Sequence, residues 1–165
     1  MNRTVFIASP LGFAQSTNGF RQVIIDRLLS LGLSPVDPWT LSDDLSEPLE
    51  LAKQIESSKK REDELHRISM LIASRNAHHL AVSSSVLAVL DGVDVDSGTA
   101  SEIGYAFGLG NKIINGLRTD FRQSGENNGV SVNLQVQYWI EQSGGKIACS
   151  IEKLNTLTFS SHSDI

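Results

Sequence analysis

Apolar residues follow two kinds of spacing along this chain, and the two kinds alternate. Short β-type runs occupy Thr4-Val5-Phe6-Ile7-Ala8, Leu33 to Val36, Val86-Leu87-Ala88-Val89-Leu90, Lys112-Ile113-Ile114-Asn115-Gly116-Leu117 and Lys146 to Cys149. Between them the spacing turns helical. Phe20, Val23, Ile24, Leu28 and Leu31 form one stripe that ends at Gly32, a natural helix C-cap. A helical pattern runs from Leu49 to about Val82, as one long helix or as two with a break. Thr99–Leu109 closes at Gly110, and Leu134–Gln142 is amphipathic before Gly144-Gly145. Strands alternating with helices predict an α/β fold, a flavodoxin-like or Rossmann-like three-layer sandwich with a five-stranded parallel sheet. No linker divides the chain, so residues 1–155 are expected to form a single domain. A polar tail over 156–165 follows, and its small, polar end Ser160–Ile165 is expected to fray.

Composition narrows the partners. With 165 residues, 40% hydrophobic and 20% charged, the chain can bury one sizeable core. Its net charge is −5 and no Lys/Arg cluster gathers on one face, the opposite of what a phosphate backbone attracts, so no nucleic acid polymer is expected. The highly charged stretch 56–64 reads as a solvated helix face or turn. Cys149 is the only cysteine, which excludes an internal disulfide, and no Cys/His set has zinc spacing. No apolar stretch approaches the ~20 residues that cross a bilayer. The N-terminus enters a strand directly, without a charged-then-apolar leader. A reducing cytoplasm fits these features, and no membrane association is expected.

One strand end carries the chemistry. Val86–Leu90 stops abruptly at Asp91-Gly92-Val93-Asp94-Val95-Asp96-Ser97-Gly98, and a helix with Glu102 in its first turn begins. In open α/β sheets, ligands bind in the crevice beyond the carboxyl ends of the strands, so these acids converge on a ligand-sized place. Thr99-Ala100-Ser101-Glu102 also reads as a capping box, with Thr99 as N-cap and Glu102 returning to it. That position favours the ionised carboxylate, as a nucleophile requires, while the neighbouring aspartates raise proton affinity. Carboxylates held apart in this way suit glycosyl transfer, whose transition state is oxocarbenium-like. Metal binding through Asp91, Asp94 and Asp96 is the competing reading. Counted from Asp94, however, the Gly and Glu of a calcium loop fall on Thr99 and Tyr105. Neither glycine-rich phosphate motif occurs, and no cofactor is expected.

The run Leu90-Asp91-Gly92, then Asp96-Ser97-Gly98-Thr99-Ala100-Ser101-Glu102-Ile103-Gly104-Tyr105-Ala106, resembles the signature of the nucleoside 2-deoxyribosyltransferases. Phe6-Ile7-Ala8-Ser9-Pro10-Leu11-Gly12-Phe13 resembles the family's first strand and base-side loop, and Val132-Asn133-Leu134-Gln135 its late Asn-Leu segment. The likeness spans roughly residues 4–145 in consistent order. It implies a ping-pong exchange of bases on 2′-deoxyribonucleosides, with a nucleoside and a free nucleobase as small-molecule partners. Glu102 would attack the anomeric carbon and form a covalent deoxyribosyl-enzyme. Asp96 stands where the transferases carry an Asp near the sugar 5′-hydroxyl, and related deoxynucleotide N-hydrolases a serine near the 5′-phosphate. A carboxylate there favours a nucleoside over a nucleotide. Ser9, Pro10, Leu11, Phe13, Asn76, Gly98, Asn133 and Gln135 are the implied substrate-binding positions. Asn133 matches a residue that reaches a neighbouring subunit's site, which implies a homo-oligomer with shared active sites. Its local alternative is an N-cap for the helix beginning at Leu134.

Two positions depart from that pattern. Asn76, on the stripe Leu65, Ile68, Ile72, Asn76, Leu80, stands where many members place an Asp close to the base. Phe6 stands where members often have a Tyr whose hydroxyl orients the nucleophile. Asn cannot donate a titratable proton, so proton delivery would fall to Asp96, Asp91 or water. These departures keep two rival readings open: an N-glycoside hydrolase on nucleosides or nucleotides, and a nucleoside-binding module with weak catalysis. Among the other candidates, Phe13 and Trp39 are placed to stack on a base or to pack in a loop. Asp120 borders the same crevice, and His66, His78 and His79 read as ordinary helix residues. Tyr138 and Trp139 suit a subunit interface.

Overall fold

The computed structural model describes residues 3–159; the expected fraying of Ser160–Ile165 lies outside the described residues. Five strands, β1 (Thr4–Ala8), β2 (Ser34–Val36), β3 (Ser85–Val89), β4 (Ile113–Leu117) and β5 (Ile147–Ala148), form one sheet in the order β2-β1-β3-β4-β5. Every pairing is parallel, with Phe6 opposite Val36 on one side and Val86 on the other. This is the doubly wound, flavodoxin-like order, whose ligand crevice opens where the winding reverses, between β1 and β3. The edges suit their sequences. Pro35, which has no N–H to give, lies in edge strand β2, and β5 is only two residues long.

Among the described residues, five α-helices complete the sandwich: α1 (Asn18–Ser30), α2 (Ser46–Lys53), α3 (Ser58–Val82), α4 (Ser97–Leu109) and α5 (Leu134–Gln142). Strand side chains alternate between two cores, as the period of two demands. Phe6, Ala8, Val86, Ala88 and Leu90 face α3, α4 and α5 through Leu80, Ile103 and Ile140. Val5, Ile7, Leu87 and Val89 face α1 through Ile24 and Leu28. Right-handed crossovers explain the division. The step from β1 to β2 runs one way along the sheet, while those to β3, β4 and β5 run the other way. Hence α3 and α4 lie side by side on one face, which brings Asn76 and Glu102 together.

The long helical pattern resolves into two helices. Gln54 to Ser57 break it, and Arg61 Nη1 donates to Ile55 O across the break (2.8 Å). Ordered packing also runs past residue 155: Leu157 packs on the second core and Phe159 is buried in it. Residues placed in the expected polar tail thus pack on the core. Three buried polar residues in and around β4 are paired. Lys112 Nζ donates to Ala81 O (2.8 Å) and Ser83 O (2.5 Å), closing the C-terminus of α3. Asn115 bridges Thr158 O and Lys146 N. Arg118 lies beneath the loop that follows β3. Among the described residues no helix is long and apolar enough to cross a membrane.

Candidate active site

A cavity of about 340 Å³ opens beyond the carboxyl ends of β1, β2 and β3, within the size range of small-molecule sites. Ser9 enters it from the end of β1, Pro38 and Trp39 from the turn after β2, and Ile72 and Asn76 from α3. Asp96, Gly98, Thr99 and Glu102 enter from the start of α4, and Phe13 closes the rim. No Lys, Arg or His lines it among the described residues.

The apolar wall is built around Trp39. Asp37 caps its short turn by accepting from Trp39 N (3.2 Å), and the indole Nε1 donates to Ser9 O (3.0 Å). Phe13, 77% exposed, stands edge-on to the indole with ring centroids 4.6 Å apart. Gly12 makes this approach possible, because a Cβ there would lie 1.9 Å from Trp39 Cδ2. Gly12→Ala is therefore expected to displace the indole and break its bond to Ser9. Its stability cost is about 1–3 kcal/mol, the usual range for overpacking. Near-UV circular dichroism and tryptophan emission should both change while far-UV circular dichroism does not. Unchanged tryptophan signals would refute this account of the wall.

The polar wall departs from the capping-box expectation. The N-cap of α4 is Asp96, not Thr99: its Oδ2 accepts from Thr99 N (2.9 Å) and Thr99 Oγ1 (3.3 Å). The helix therefore begins one turn earlier, and Glu102 lies in its second turn, beyond the orphan N–H groups. The dipole acts mainly within the first turn, so it no longer holds Glu102 ionised. No hydrogen bond reaches the Glu102 carboxylate among the described residues. Burial, helped by the negative charge of Asp96, raises its pKa from 4.5 to about 7. The expectation of a carboxylate kept ionised by the helix start is thus reversed.

Asn76 faces Glu102 from α3, and its Oδ1 is buried without a hydrogen-bond partner among the described residues. The neighbouring Arg75 pairs with Asp44, its Nη2 2.9 Å from Oδ2, tying α3 to the segment after β2. On the far side of Asn76 and Glu102, an open groove of about 330 Å³ runs between α3 and α4, past Ala77, Ser101 and Tyr105. Phe6 is fully buried in the core cluster that holds Ile103, the residue after Glu102, and so acts through packing.

The structure thus brings Ser9, Phe13, Asn76, Asp96, Gly98 and Glu102 to one cavity, together with Trp39. The other expected positions lie apart from its lining. Leu11 is buried in the second core and Pro10 in the loop beside it, its carbonyl accepting from Phe13 N (3.0 Å). Asp91 is turned away, its carboxylate accepting from Thr119 N, Thr119 Oγ1 and Asp120 N. Asp94 Oδ1 accepts from Val95 N (2.7 Å), so the three aspartates of the loop diverge. Asp120 is taken up by Arg122. Asn133 caps α5 through Gln135 N and Val136 N and donates to Glu126, the local alternative weighed for it. Pro38 and Ile72 join the lining without having been singled out. Their signals were the Asp37-Pro38-Trp39 turn and the stripe that Ile72 shares with Asn76.

The chain resembles solved structures along nearly its whole length. A conserved protein from Enterococcus faecalis V583 matches with a TM-score of 0.66 at 23% identity, over 94% of this chain and 96% of that one. A 2-deoxyribosyltransferase from Bacillus psychrosaccharolyticus matches with a TM-score of 0.62 at 15% identity, over 94% and 93%. A 2-desoxiribosyltransferase from Leishmania mexicana matches with a TM-score of 0.61 at 21% identity, over 91% and 92%. At these identities the likeness establishes a shared fold. No curated protein sequence matches the chain significantly. Residues 5–135 match the sequence family described as nucleoside 2-deoxyribosyltransferase, and on that match the chain belongs to the nucleoside 2-deoxyribosyltransferase family.

Proposed function

We propose that the protein exchanges the base of an unphosphorylated 2′-deoxyribonucleoside through a covalent deoxyribosyl-Glu102 intermediate. The observation that carries this reading is the meeting of Glu102 with Asp96 in a cavity that has an aromatic wall and, among the described residues, no basic side chain. A flat base stacks on Trp39 and Phe13, and the sugar lies toward the two carboxylates. A phosphate would meet Asp96 without a counter-charge, whereas a 5′-hydroxyl can donate to it.

In the first half-reaction a Glu102 carboxylate oxygen bonds to C1′ as the C1′–N bond breaks. The base leaves with that electron pair and takes a proton from water. In the second, a ring nitrogen of the incoming base attacks C1′ from the same side, the C1′–O bond to Glu102 breaks, and the new base loses its proton. Glu102 is well suited to this order of events. Its charge is poorly solvated in the free protein, and the positive charge developing at C1′ offsets that penalty only in the transition state. The buried, unpartnered Oδ1 of Asn76 accepts from the base edge. Pro10, Leu11 and Gln135 are proposed to shape the site from beyond its lining, and Asn133 to act from a second copy in a homo-oligomer.

The test is to incubate the protein with deoxyinosine or thymidine plus excess adenine. Deoxyadenosine is expected, and it should be lost in Glu102→Ala. Free base without deoxyadenosine would transfer the reading to an N-glycoside hydrolase. Binding without turnover would leave a nucleoside-binding module.

A further inference from the structure

Between the ends of β3 and β4, two loops hold each other by their side chains. Arg118 is only 6% exposed, and its guanidinium donates to Leu90 O, to Gly92 O (3.2 Å) and to Arg122 O (2.7 Å). In return, Asp91 in the β3 loop accepts from Thr119 N (2.5 Å) and Asp120 N (2.8 Å) on one oxygen and from Thr119 Oγ1 (2.7 Å) on the other. Asp120 pairs with Arg122 and takes a backbone hydrogen bond from Gly92, which hold its carboxyl far below the usual carboxylate range. Asp91 and Arg118 thus tie the two loops together by hydrogen bonds, beside the ion pair of Asp120 with Arg122.

The β3 loop is also fixed from within. Gly92 has φ +130°, and a Cβ there would lie 3.1 Å from Asp94 O, so its path is closed to other residues without strain. Downstream, Val95 is buried in the first core and Asp96 caps α4. The segment from Leu90 to Glu102 is thus anchored at Asp91, Gly92, Val95 and Asp96. We propose that Asp91 and Arg118 are positioning residues: their reciprocal hydrogen bonds lock the β3 loop against the β4 loop and so fix where the start of α4 carries Asp96 and Glu102 into the cavity. The inference rests on the reading that Glu102 is the reacting group. Local sequence could not reveal it, because the direction of the Asp91 side chain depends on a strand end 28 positions away.

The test compares Asp91→Ala with Asp91→Asn, which keeps an acceptor oxygen for the two backbone N–H groups but no charge. Arg118→Lys, which replaces the planar guanidinium fork with a single ammonium, is the third variant. Base release is measured alongside the titration of Glu102, followed by NMR in protein carrying carbon-13 in its glutamate carboxyls. The charged or titratable groups that line the cavity and groove beside Glu102 are Asp96 and Tyr105, both on α4; among the described residues, α3 and the turn after β2 present none there. Asp91→Ala is expected to lower kcat about 10- to 100-fold, the effect of a misplacement near 1 Å, with KM within about threefold of wild type. It should also shift the Glu102 midpoint away from about 7. Asp91→Asn should restore most of both. Equal losses in the Ala and Asn variants would make the role one of charge alone and overturn the proposal. So would an Ala variant within about twofold of wild type with an unmoved midpoint. If Arg118→Lys fails to fold, the Asp91 pair decides. If wild type turns over no nucleoside, the functional reading falls, and the midpoints, which need no substrate, still decide the clamp.

Discussion

Glu102→Gln is expected to remove at least ~10³-fold of turnover and, at neutral and alkaline pH, to make the protein more stable. The loss follows from chemistry: an amide cannot form the bond to C1′ that replaces the glycosidic bond. The gain follows from linkage. The pKa of Glu102 is about 7 in the fold against an ordinary value of 4.5, so the fold disfavours the ionised carboxylate. The resulting penalty is absent below pH 4.5, grows between 4.5 and 7, and is constant above. It amounts to at most ~3 kcal/mol, less whatever solvent reaches the half-buried group. Gln removes it. Thermal melts at about pH 8 should therefore show the variant several degrees above wild type, and melts at about pH 4 should show no difference. A variant inactive but equally stable at both pH values would mean that Glu102 is better solvated than the structure places it.

The pH profile of kcat/KM carries the second large effect. Protonated Glu102 cannot attack, so activity falls as pH drops through about 7. The decline is about tenfold per unit, which leaves on the order of one per cent two units lower. Asp96 supplies the smaller cause of the raised pKa, and Asn is as good an N-cap as Asp. Asp96→Asn should therefore keep α4 intact and move the acid limb to lower pH. Burial remains, so the midpoint should stay above 4.5. A profile flat from pH 5 to 8, or one unmoved by Asp96→Asn, would contradict this electrostatic account.

Local pattern reached as far as local forces decide. β1 and α5 fall on the residues that the runs Thr4–Ala8 and Leu134–Gln142 predict, because a short apolar run defines the one and helical spacing with a cap the other. The start of α4 does not. Asp96 and Thr99 are both good caps, and only the carboxylate's reach to Thr99 N decides between them. That single bond moves Glu102 from the first turn to the second and reverses its electrostatics. The crevice itself was legible, since strand ends and acids mark it. The way each acid turns was not: Asp96 faces the cavity while Asp91 bridges to Thr119. Phe13 and Trp39 could be named as stacking candidates, but only Gly12, fitted beneath the indole, shows why they form one wall.

The central claim is a bond between Glu102 and a deoxyribosyl group, and mass spectrometry of the intact protein tests it most directly. The protein is mixed with a 2′-deoxyribonucleoside in the absence of any acceptor base, quenched in acid and digested. The account predicts a population heavier by one deoxyribosyl unit, with the added mass on the peptide containing Glu102, absent from Glu102→Gln and discharged when adenine is added before the quench. Base release with no adduct at any time, or an adduct on another residue, would contradict it.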